Sequence, residues 1–223
     1  KDNKMKKLKI LLLFFMLGTS GVFAATPYIE GQILFTEVKD VDTNTYTDTV
    51  AGSAIVGKLT NKYDTDTGYG FEVGAIGLFD NQNLRLGISY GKTKIKLKST
   101  IASGTVDGAA GSLSITPAQW AAVGVNFDND IKSYSLNGYY DFAKTNKLTP
   151  FIGLGVGQVD IQNAKDKELS TSLYLGARYS VNDNVYVGGK VNYTMINGPE
   201  DKLGIQYEDI TQYGLTMNVG YTF

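Results

Sequence analysis

From Tyr28 to Phe223 the chain keeps returning to one pattern: apolar and polar residues alternate one by one, in stretches long enough to cross a bilayer. A period of two marks a strand whose two faces meet different surroundings. A tilted strand needs roughly 9–11 residues to span the hydrocarbon. Eight segments meet both conditions: 28–38, 67–79, 84–97, 131–142, 148–159, 170–180, 185–195 and 210–223. The last is the clearest. Tyr213, Leu215, Met217, Val219, Tyr221 and Phe223 oppose Gln212, Gly214, Thr216, Asn218, Gly220 and Thr222. The pattern predicts an all-β fold: a closed, antiparallel, up-and-down transmembrane β-barrel of eight strands, apolar outside and polar inside. A soluble ligand-binding barrel requires the reverse.

The connections carry a second signal. Segments 80–83, 143–147 and 181–184 are short and rich in Asn, Asp or Lys. Segments 39–66, 98–130, 160–169 and 196–209 are long. Short and long alternate, which places tight turns on the periplasmic rim and long loops outside. Pairing of 50–59 with part of 105–127 offers a ten-stranded alternative. The Gly, Ser and Ala content there favours extended loop hairpins instead. Thr116 followed by Pro117 supplies an N-cap and a first helical residue, predicting a short helix within 115–125. Trp120, the one tryptophan, is a candidate for the membrane interface, for a cap on the barrel mouth, or for simple loop packing.

The front of the chain reads differently. Lys6, Lys7 and Lys9 precede a short apolar run at 10–17, followed by small residues ending Val22-Phe23-Ala24. This predicts a leader and signal peptide over 1–24, with Met5 as the natural start, cleavage after Ala24, and a barrel domain over 25–223.

Aromatic residues fall at the segment ends. Phe79, Phe142, Tyr179 and Phe223 share one predicted rim; Tyr69, Tyr134 and Tyr213 lie near the other. Two girdles of rings are expected at the membrane interfaces. The inward faces carry Glu30, Glu72, Arg85, Asp141, Arg178 and Lys190, three acids and three bases. Buried charges require partners. The six are expected to form an ion-pair plug in a narrow lumen, with an ion-conducting path as the alternative.

Composition narrows the chemistry. A net charge of -1 gives no basic excess for nucleic acid. Without cysteine there is neither a disulfide framework nor a thiolate metal site. Without histidine there is no Ser–His triad, so no catalytic residue is assigned and no enzyme is expected, although a Lys or carboxylate base stays open. Asp64, Asp66, Glu200, Asp201, Glu208 and Asp209 lack Ca²⁺-loop spacing and are read as solvated loop charge; no metal and no cofactor are expected.

Segments 135–142 (SLNGYYDF), 149–157 (TPFIGLGVG) and 219–223 (VGYTF) resemble the small Gram-negative outer-membrane barrels of the OmpA-like and opacity-protein type. The resemblance implies a place in the outer membrane, among lipid and lipopolysaccharide. It also implies that the barrel assembly machinery reads the C-terminal strand through Tyr221 and Phe223. A structural, surface-exposed role follows, as an adhesin or surface antigen acting on a host or surface partner through the loops; a small porin or ion-conducting channel is the alternative. The peptidoglycan-binding domain of the OmpA pattern is missing, so peptidoglycan anchoring is not expected.

Overall fold

In a bilayer every backbone N–H and C=O must find a partner within the protein, so strands of alternating polarity close into a ring. The computed structural model describes residues 25–50, 52–64, 66–79, 81–124, 128–142 and 147–223. The signal peptide expected over 1–24 lies outside the described residues, as do parts of the turns at 80–83 and 143–147. The strands are β1 (Thr26–Val38), β2 (Val41–Asp42), β3 (Tyr46–Val50), β4 (Ser53–Asp64), β5 (Asp66–Leu78), β6 (Asn81–Val106) and β7 (Ala109–Ile115). After helix α1 (Pro117–Ala122) come β8 (Asn129–Asp141), β9 (Leu148–Ile161), β10 (Glu168–Ser180), β11 (Val185–Ile196) and β12 (Ile210–Thr222).

Eight of these form the ring, in the order β1-β5-β6-β8-β9-β10-β11-β12 and back to β1. All neighbours are antiparallel, and closure runs from Tyr28↔Thr222 to Val38↔Gln212. Burial follows residue parity as the alternation predicts. Ile33, Ile88, Leu136, Leu154, Leu175, Val191 and Met217 are exposed on the outside, whereas Glu72, Arg85, Asn137, Thr149 and Thr216 are buried inside. Apolar out and polar in is the arrangement for an exterior bathed in lipid.

One strand outruns its expected end. The alternation placed the third segment at 84–97, but β6 continues to Val106. Along the ring, β6 pairs with β5 and β8. Beyond that, β4 takes over the edge that β5 leaves, from Asp64↔Lys96 to Ile55↔Val106. On the other edge β7 pairs with β6 from Thr100↔Ile115 to Val106↔Ala109. With β3 beside β4, this makes a second, four-stranded blade standing on the loop-end rim. Most of 39–66 and 98–130 is therefore strand. The 50–59 stretch does find a partner, mostly 102–106, but above the barrel, so the ring keeps eight strands.

The β6–β7 hairpin turns on Asp107 (φ 50°) and Gly108 (φ 83°). Positive φ at both central residues is the type I′ turn, whose twist suits a two-residue hairpin. The capped helix expected at Thr116–Pro117 is α1. The Gln119 amide donates to Thr116 Oγ1 at 3.4 Å, and the Thr116 amide donates to Gln119 Oε1 at 2.8 Å. Trp120 belongs to the blade: its indole N–H donates to Thr100 Oγ1 on β6 at 3.0 Å.

Inside the barrel, glycine makes room for flat aromatic rings. Gly153 on β9 lies opposite Tyr139 on β8, and a Cβ there would sit 2.3 Å from Tyr139 Cδ1. Gly153→Ala is expected to displace this ring and cost about 1–3 kcal/mol, the range for overpacking. Urea titration of the folded, fast-migrating gel form in lipid vesicles measures it.

Candidate functional site

The lumen is crossed by one connected polar network. Strand pairing sets Glu30 directly opposite Glu72. Two like charges at that spacing repel, and Arg85 on β6 relieves them. Its Nη1 lies 3.9 Å from Glu30 and 3.6 Å from Glu72, and its Nη2 lies 3.6 Å from Asp141. The guanidinium also stacks 3.8 Å from the Tyr139 ring centroid, a cation–π contact in a desolvated setting. Arg178 pairs with Asp141, and Lys190 lies 3.5 Å from Glu72. All six charged residues expected in the lumen are there, all buried, in a single cluster.

Neutral residues that the sequence reading did not single out complete the cluster. Glu72 accepts from Tyr28 Oη (2.5 Å), Tyr139 Oη (2.8 Å) and Asn137 Nδ2 (3.0 Å). Glu30 accepts from Tyr186 Oη (2.9 Å) and Gln32 Nε2 (3.0 Å). Tyr174 Oη donates to Asn137 Oδ1 at 3.2 Å. Their signal was available: each is a tyrosine, asparagine or glutamine on the inward parity of its strand.

This cluster divides the lumen. Toward the turns lies a polar vestibule of about 350 Å³ beside Asp141, Arg178 and Tyr186. Toward the loops lies a polar chamber of about 100 Å³ beside Gln32, Ser89 and Lys190. Above that chamber the inward residues become aliphatic: Val38, Ile95, Ile131, Ile161 and Ile196 form an apolar collar with Tyr207.

On the exterior, every expected girdle residue is exposed: Tyr69, Phe79, Tyr134, Phe142, Tyr179, Tyr213 and Phe223. Phe223 meets the Tyr221 ring edge to face, with centroids 5.1 Å apart. Tyr90 bridges Phe71 (5.6 Å) and Tyr134 (5.3 Å) on this outer surface. Just above Tyr90, Lys92, Lys94, Lys96 and Lys98 continue the same outward face of β6. Lys92 pairs with Asp130 at 2.9 Å and Lys98 with Asp64 at 3.7 Å.

The root of the blade is tied down. Asp42 accepts from Lys58 Nζ (2.7 Å) and Thr60 Oγ1 (2.5 Å). Partial burial pushes this carboxyl up, but the Lys58 and Thr60 hydrogen bonds outweigh it and hold Asp42 below the usual carboxylate range. Thr43 bridges to Tyr207, whose phenol is raised by burial and by the neighbouring Asp201. The acidic loop residues separate in the fold. Glu200 pairs with Lys165, Asp209 accepts from the Gly198 amide, and buried Asp201 accepts from the Leu203 and Ile205 amides. Among the described residues, no three such side chains converge in a way that would hold a metal ion.

A family model described as "Outer membrane protein beta-barrel domain" matches residues 10–223. The chain belongs to this family. It is an outer-membrane β-barrel protein. Outer membrane protein PagN of Salmonella typhimurium is 27% identical over 89 residues, covering 32% of this chain and 37% of PagN. The chain thus matches little more than a third of that relative's length. Neisserial surface protein A is similar in fold, with a TM-score of 0.51 at 13% identity, over 88% of this chain and 97% of that one. AlkL, solved in DMPC bilayers, gives 0.50 at 16% identity over 92% and 93%. At these identities the two structures speak for the fold alone.

Proposed function

We propose that this family member is a sealed barrel that carries a rigid interaction surface above the membrane, an adhesin or surface antigen rather than a channel. The carrying observation is the continuation of β6 into the blade. Loops merely closing a barrel would need no such strand. Tyr46, Val56, Val106 and Leu113 are exposed on the blade, and its outer strands β3 and β7 offer free edges among the described residues. Free edges and exposed apolar side chains suit an extended polypeptide from a host or neighbouring surface. The absence of histidine supports a non-catalytic role.

The exterior suits its surroundings on the same reading. Lys92, Lys94, Lys96 and Lys98 stand at headgroup height above Tyr90, where they meet the phosphates of lipopolysaccharide. Tyr221 and Phe223 present the assembly signal to the barrel assembly machinery. Residues 1–24 direct export and are removed.

Deleting 103–112, the tip of the β6–β7 hairpin, is expected to abolish adhesion to host cells or matrix while the barrel keeps its fast-migrating folded form. Undiminished adhesion would reject the blade as the binding surface. The intact protein in planar bilayers is expected to give no steady current. Sustained openings on the nanosiemens scale would favour the channel reading, which the polar chambers on either side of the ion-pair cluster otherwise leave without a continuous path.

A further inference from the structure

We infer that the loop-end mouth of the barrel is a binding site for one small, largely apolar molecule. The inward faces of five strands turn aliphatic toward the loop end. On β1 the inward series Glu30, Gln32, Leu34, Thr36 ends in Val38; on β6 the series Ser89, Gly91, Thr93 ends in Ile95. On β8 and β11 the polar or small series lead to Ile131 and Ile196, and on β9 the glycine series gives way to Val159 and Ile161. Strand register keeps them close: Ile131 lies opposite Ile161, and Ile95 lies opposite Asn129, two residues along β8 from Ile131. The switch is therefore a ring written into five separate segments, not a local packing accident.

This ring does not fill its own centre. A cavity of about 260 Å³ remains between Val38, Ile95, Ile131, Ile161, Ile196 and Tyr207. Protein interiors are packed like organic crystals, with few voids larger than a water molecule. A stopper meant only to close the mouth would use larger side chains than Val, Ile and Ala. Water is a poor tenant, because each buried water needs two to four polar partners. Several of the polar groups beside this cavity are engaged with other protein groups. Asp201 holds the Leu203 and Ile205 amides and Tyr207 Oη, and Asn129 Oδ1 holds the Asn163 amide.

A dry apolar cavity of about 150 Å³ holds benzene. Scaling by volume, this one takes roughly ten carbons, as a bicyclic aromatic or a short alkyl chain. Exposed Leu203 and Lys202 stand at its open side and mark the way in from the loop end. The polar chamber and ion-pair cluster beneath close the other side, so the site is a blind pocket. It stands independently of whether the blade binds a surface.

The probe is naphthalene, titrated into the protein in lipid nanodiscs with ¹³C-labelled isoleucine methyl groups. The expected result is a saturable shift at Ile95, Ile131, Ile161 and Ile196. The lipid-facing methyls of Ile29, Ile33, Ile88 and Ile152 report the part dissolved in the bilayer, without saturation. Ala164→Phe and Val41→Phe, two independent fillings of the same space, are each expected to weaken the saturable shift at least tenfold while leaving the folded gel form intact. If one variant fails to fold, the other decides. Collar methyls that follow the lipid-facing ones without saturation would overturn the proposal, as would saturable binding left unchanged by the filled cavity.

Discussion

Arg85→Leu is expected to destabilise the barrel by about 3–5 kcal/mol, the cost of removing one partner from a buried ion cluster. Arg85 is 2% exposed and Glu72 is fully buried. The guanidinium faces Glu30, Glu72 and Asp141 at 3.6–3.9 Å. Without it, two carboxylates oppose each other across β1 and β5, with Lys190 as the nearest remaining cation on Glu72. Glu72→Gln should recover part of the loss in the double variant, because it removes one of the stranded charges. Urea midpoints of the folded gel form in vesicles, measured for the wild type, both single variants and the double, give the coupling. A coupling indistinguishable from zero would mean that Arg85 and Glu72 do not act as a pair. Arg85→Lys tests geometry separately: a point charge on a flexible stem cannot reach three carboxylates as a planar fork does, so it should fall between wild type and Arg85→Leu.

The barrel and its charged centre were legible in the sequence for one reason. In a membrane, parity alone decides which residues face the lumen. Glu30, Glu72, Arg85, Asp141, Arg178 and Lys190 sit on inward parity in six different strands, and a lumen barely wider than its own side chains brings them together. The same parity puts Tyr28, Tyr139, Tyr174 and Tyr186, the phenols that complete the cluster, on the inward side. Which partner each phenol meets depends on register between strands. The blade was harder. Above the rim both faces of a strand meet water, so the alternation of β6 fades after Leu97 and the Gly–Ser–Ala stretch looks like loop. Its one firm mark was Asp107-Gly108, a pair that favours a tight hairpin. The exchange of β5 for β4 along one edge of β6 depends on register between distant segments, which no local pattern encodes.

The exterior gives the second large effect. Leu154 on β9 lies near mid-strand, opposite Leu173 on β10, with 64% of its surface exposed. Leu148, at the turn end of the same strand face, is also exposed. If water surrounded both, a change to arginine at either would stay within about 0.5 kcal/mol, as surface substitutions do. In a bilayer the cost depends on depth: about 2–4 kcal/mol for arginine at the midplane, falling to about 0–1 near the interface. Leu154→Arg is therefore expected to lose about 2–4 kcal/mol in vesicles, and Leu148→Arg about 1 kcal/mol or less. The contrast between two exposed leucines on one strand is the decisive quantity, since propensity and side-chain identity cancel between them. Equal and small losses at both sites would mean that hydrocarbon does not cover the outer face of β9, and the lipid-facing assignment of the whole ring would fall with it.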